Sequence, residues 1–129
     1  MKKLSALFLS LCLAASAWAG SSTFADISHQ ELTAVVAEKK AVILDVNGTD
    51  SYKEGHIPGA IDFIANQDKI ASLLPADKNA LIIAYCGNEQ CGAYQEAANA
   101  AAKLGYKNIK HYAPGIAGWK KSGAPMDKS

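Results

Sequence analysis

The stretch Ala80 to Gly92 reads A-L-I-I-A-Y-C-G-N-E-Q-C-G. Its first half, Ala80 to Tyr85, is apolar without alternation, the pattern of a strand covered on both faces, as in a parallel sheet. Its second half is a polar loop carrying two glycines and two thiols. Beyond it, Ala93, Ala97, Ala100, Ala101 and Leu104 recur at helical spacing, and Gly105 is placed to close that helix in the left-handed conformation. The unit is therefore strand, loop, helix, with Cys86 where the strand ends. In open parallel sheets, ligands are handled at the carboxyl ends of the strands.

Working outward, Ala41 to Val46 repeats the buried-strand pattern and stops at Asn47-Gly48. Before it, Thr23 to Ile27 suits a short edge strand, and Ser28-His29-Gln30-Glu31 has the form of a capping box. Leu32, Val35 and Val36 then share one helical face up to Lys39-Lys40, whose charges suit a helix C-terminus. Gly55 to Ala60, G-H-I-P-G-A, is turn chemistry leading into a short strand over Ala60 to Ile64. A helix is predicted from about Asn66 to Leu74, ending before Pro75. Asn108 to Tyr112 reads as a further strand, and Ile116 to Lys121 as a final short helix. No repeat or linker interrupts the chain. This alternation predicts an α/β fold, with a central, mostly parallel sheet of about five strands and helices on both faces.

Length and composition fit one domain. The 129 residues suffice for a single core, and 50% hydrophobic with 19% charged residues sets disorder aside. Residues 1–19 read as a cleaved signal peptide: Lys2-Lys3, an apolar stretch Leu4 to Ala15, and a small-x-small pattern Ala17-Trp18-Ala19. A lipid anchor on Cys12 is disfavoured, because Leu11 stands where such signals want a small residue. The domain would then span residues 20–129, in the periplasm or secreted. Losing Lys2 and Lys3 moves the formal charge from +1 to −1, which gives no steering towards nucleic acid or anionic membranes.

Cleavage also removes Cys12 and leaves Cys86 and Cys91. Two cysteines in an oxidising compartment commonly pair. Between a strand end and a helix start, however, a thiol also meets free amides. The first N–H groups of a helix lack partners, and a loop with Gly87 and Gly92 can curl into an anion-binding nest. A thiolate held so has a lowered pKa and is nucleophilic near neutral pH.

In order and at the expected spacing, several motifs resemble the single-domain rhodanese (sulfurtransferase) family. They are Leu44-Asp45-Val46, Tyr52, G-H-I-P-G-A, Tyr85-Cys86 with its short loop, Gly105-Tyr106, and Gly115-Ile116-Ala117-Gly118-Trp119. The resemblance implies that Cys86 takes a sulfane sulfur from a small-molecule donor as a persulfide and passes it to a thiol or cyanide-like acceptor. No cofactor is implied. Gly87, Asn88, Glu89, Gln90, Cys91 and Gly92 would form the loop that cradles the outer sulfur.

Two departures qualify that expectation. All 13 cationic residues are lysines, so no guanidinium can grip a sulfonate in bidentate fashion. Asn47 stands where the first motif usually has arginine, and the loop itself offers Glu89 and no cation. A polysulfide or low-molecular-weight persulfide is thus favoured over thiosulfate as donor. Cys91 is the second departure, and three readings stay open for it: a resolving thiol, half of a static disulfide, or a helix-start residue without chemistry. A short loop gains little from a static cross-link.

Other residues carry plainer readings. Asp45 supports the loop or caps the next turn, and Tyr85 beside Cys86 is a second possible support. His56 is read as structural in its turn, while Trp119 and the tyrosines at 52, 106 and 112 are read as packing. No metal site is expected, since the histidines and cysteines lack ligand spacing. A phosphatase loop would need arginine where Gly92 stands. The alternative from another class is a non-catalytic module that binds a partner or senses oxidation through a Cys86/Cys91 dithiol–disulfide switch.

Overall fold

The structure is a computed structural model describing residues 24–129. The signal peptide over 1–19, its cleavage near Ala19/Gly20, Cys12 and Thr23 lie outside the described residues. Five strands form one sheet: β1 (Ala25–Asp26), β2 (Val42–Asp45), β3 (Ile61–Asp62), β4 (Leu81–Tyr85) and β5 (Asn108–His111). Their order is β1-β5-β4-β2-β3, and every pairing is parallel. β4 is therefore the middle strand, bonded to β2 on one side and to β5 on the other.

Alternation along β4 assigns its side chains to two layers. Ile82, Ala84 and Cys86 enter a core with Leu44, Phe63 and Ile70, beneath Ala97, Ala98 and Ala101 of α5 (Tyr94–Lys103). Ile83 and Tyr85 enter the opposite core with Leu32 of α1 (His29–Glu38), Ile57, Tyr112, and Trp119 of α6 (Gly115–Lys121). Helices thus cover both faces. Small alanines on α5 let that helix lie close to the sheet. Leu32, fully buried, anchors α1, a contact of about 1.5–3 kcal/mol.

The caps follow local chemistry. Ser28 Oγ accepts from the Glu31 amide at 3.1 Å, as the capping pattern predicts. Gly105 closes the α5 end at φ +96°. Lys39 ends α1 in the left-handed region at φ +55°, a conformation unfavourable to most side chains.

Three local expectations are corrected. The strand over 60–64 is confined to Ile61–Asp62, because Asp62 Oδ1 accepts from the Ala65 amide at 3.2 Å and starts a helix at once. The helix expected from Asn66 begins earlier and is broken into α3 (Phe63–Asn66), a 3-10 turn at Gln67–Lys69, and α4 (Ile70–Leu73). A further helix, α2 (Thr49–Glu54), was not foreseen. It has no side-chain cap and no buried residue, so no apolar periodicity marks it.

Candidate active site

Cys86 follows the last residue of β4, at the carboxyl edge of the sheet, and is 1% exposed. It is joined to Cys91, with the α carbons 6.3 Å apart, inside the span a disulfide allows. Cys91 is half-buried, whereas Asn88, Glu89 and Gln90 are exposed. The nucleophile expected from the sequence is thus covered by its own partner. A thiolate reaching this pair from solvent meets Cys91 first and releases Cys86.

The loop is held at both ends. The Ile116 amide donates to the Cys86 carbonyl at 2.9 Å and the Ala117 amide to the Gly87 carbonyl at 3.0 Å, so the start of α6 is spent on fixing the loop backbone. Gly115, at φ +62°, makes this approach possible: a Cβ there would lie 2.5 Å from the Cys86 carbonyl oxygen and 2.8 Å from the Asn88 nitrogen. Neither Gly87 nor Gly92 has a positive φ. The glycine the site requires is therefore in α6, outside the loop.

Within the loop, Asn88 takes two amides, its carbonyl accepting from Cys91 at 3.1 Å and its Oδ1 from Gln90 at 3.0 Å. The amides of Gly87, Asn88, Glu89 and Gly92 have no hydrogen-bond partner among the described residues. The group at the Cys86 sulfur is the Cys91 carbonyl oxygen, 3.3 Å away. In this disulfide form the loop directs an acceptor at the sulfur, and the free amides make no contact with it.

Asp45 and Tyr85 are brought together behind the site. The Tyr85 hydroxyl donates to Asp45 Oδ2 at 2.5 Å and accepts from the Ile57 amide at 3.1 Å, while Asp45 Oδ1 accepts from the Asn47 amide at 2.8 Å. Asp45 thus both caps the turn after β2 and holds Tyr85. Tyr85 faces the layer opposite Cys86, so adjacency in sequence does not place its hydroxyl at the sulfur. Burial pushes the Asp45 carboxyl above its ordinary range, against the lowering effect of the Tyr85 hydroxyl and the Asn47 amide. Burial, then the neighbouring Asp45, also pushes the Tyr85 phenol far up, so it stays protonated as a donor.

His56 lies away from the reacting sulfur and fixes its turn. Its Nδ1 donates to the Tyr52 carbonyl at 2.7 Å, its ring stacks on Tyr52, and its backbone exchanges two hydrogen bonds with Asp127. His111, stacked on Tyr94, has a pKa lowered by burial, partly offset by Asp26. No group of three metal-ligating side chains occurs among the described residues.

Sequence reasoning missed the groups contributed by α6. A cavity of about 260 Å³ lies between the loop and that helix, lined by Asn88, Glu89, Gln90, Pro114, Ala117, Gly118 and Lys121. A cation therefore borders the loop although none is within it. Its only sequence signal was the run Lys120-Lys121, which reads equally as a helix end.

Comparison with known proteins agrees with this geometry. Residues 28–122 match the rhodanese-like domain. YibN of Escherichia coli strain K12 is 28% identical over 103 residues, covering 78% of this chain and 70% of YibN. The crystal structure of Alr3790 from Anabaena sp. superposes with a TM-score of 0.62 at 28% identity, covering 77% and 88% of the two chains. Thiosulfate sulfurtransferase from Pseudomonas aeruginosa shares the fold, with a TM-score of 0.66 at 19% identity over 81% of this chain and 20% of that one. Sheet, site and sequence match define one class, an α/β domain of rhodanese type. The chain belongs to the rhodanese-like domain family.

Proposed function

We infer that this protein is a sulfurtransferase carrying sulfane sulfur on Cys86. The observation that supports this most directly is the position of Cys86, at the carboxyl end of the central strand and at the start of a loop with unspent amides. The disulfide is first opened by two molecules of a low-molecular-weight thiol, which leave as their own disulfide while Cys86 and Cys91 take up two hydrogens. The Cys86 thiolate then attacks the outer sulfur of a donor R–S–SH. A bond forms between Cys86 and that sulfur, the donor's S–S bond breaks, and RS⁻ leaves with the electron pair. An acceptor thiolate attacks the carried sulfur in turn and returns Cys86 as thiolate. Free amides of Gly87 to Gly92 favour the anionic sulfur once the Cys91 carbonyl has swung away. Polysulfides and small persulfides are preferred to thiosulfate, because Glu89 opposes a dianion and no arginine answers it. The leader pattern in residues 1–19 supports export to the periplasm or beyond, where the domain would work on small sulfur compounds.

Cyanide trapping of transferred sulfur tests this reading. Reduced wild type should turn over with polysulfide, and Cys86→Ser should be inactive; equal turnover by the two would end it. The disulfide itself favours a second reading, a redox-sensing module without transfer. Mass spectrometry after polysulfide treatment separates the two, since carriage adds one sulfur to the reduced protein and a switch only removes two hydrogens.

A further inference from the structure

Glu89 and Lys121 line the same cavity from opposite walls, the loop and α6. Neither takes part in an ion pair among the described residues, and they do not pair with each other. Two exposed opposite charges facing one small space, with Pro114, Ala117 and Gly118 as a weakly polar floor, leave room for a ligand bearing both complementary charges. At about 260 Å³ the space is smaller than the roughly 300–1,000 Å³ typical of drug-sized ligands, which suits a molecule of amino-acid size. The cavity also borders the backbone segment that α6 pins directly after Cys86.

We propose that the donor is the persulfide of a zwitterionic aminothiol of cysteine type, its ammonium held by Glu89 and its carboxylate by Lys121. The inference rests on the sulfur-carrier reading of Cys86. The same charge pair accounts for selection against simple anionic donors: Lys121 attracts them, but Glu89 repels any donor without a compensating ammonium. After the transfer step described above, cysteine-type thiolate leaves from the same cavity.

Three donors distinguish the charges: cysteine persulfide, cysteamine persulfide, which lacks the carboxylate, and 3-mercaptopropionate persulfide, which lacks the ammonium. Wild-type kcat/KM should be highest for cysteine persulfide, by about two- to five-fold for each charge removed, the range exposed ion pairs support. Lys121→Gln should lower kcat/KM for the cysteine and mercaptopropionate donors and leave the cysteamine donor unchanged. Glu89→Gln should lower it for the cysteine and cysteamine donors and raise it for mercaptopropionate. Equal use of all three donors by wild type, or a uniform loss in either variant, overturns the proposal. Absence of an added sulfur on reduced Cys86 with every donor would instead sink the carrier reading. Both side chains are exposed, so neither substitution threatens the fold.

Discussion

Tyr85 carries a structural load that its place beside Cys86 does not advertise. Its hydroxyl is the single link between the Ile57 amide and the Asp45 carboxylate, joining the G-H-I-P-G-A turn to the end of β2 from beneath β4. Tyr85→Phe keeps the ring and strands both groups, so denaturant unfolding should show a loss of about 1–3 kcal/mol. The loss should depend on pH. Asp45 ionises above its ordinary value of 3.8 in the folded chain, and removing the Tyr85 donor raises it further. A raised carboxyl supplies stability below its unfolded pKa and loses it as pH rises through the folded value. The deficit of Tyr85→Phe should therefore be smallest near pH 4 and widen towards neutrality. A deficit that shrinks over that range would contradict the hydrogen-bonded arrangement.

Among elements, α6 decides the shape of the loop although it lies about two dozen residues further along the chain. Gly115 combines a left-handed backbone with contact against three backbone atoms of the loop. Gly115→Ala should cost about 2–5 kcal/mol through strain and overlap together. Gly92→Ala meets nothing within 4 Å, so by thermal unfolding it should stay near wild type. The reverse order would refute this division of roles. Buried strands β2 and β4, α1 with its serine cap, and α5 were legible in the sequence because their periodicity or capping spans a whole element. Helix α2 and the break at Asp62 were not, because a six-residue helix without a buried face leaves no period to read, and a cap directly after a two-residue strand overrides the apolar pattern around it. Cys86 was legible from the strand–loop–helix form. Lys121 was not, because only tertiary contact between α6 and the loop brings its charge to the cavity.

At the scale of the whole molecule, redox change is confined to a small part of a stiff framework. The disulfide closes only the short segment between residues five apart. In the chain-entropy view it adds about 2 kcal/mol, well below what a sheet with two covered faces supplies. Reduced protein should therefore unfold cooperatively at a modestly lower denaturant midpoint, with unchanged far-ultraviolet circular dichroism. Collapse of the fold on reduction would show that the cross-link is structural. Because β4 is bonded on both flanks and its last carbonyls are gripped by α6, residues 88–92 behave as a graftable insert. Segments of altered composition can be transplanted there to change donor preference, provided that Gly115 and the two carbonyls it approaches are left as they stand.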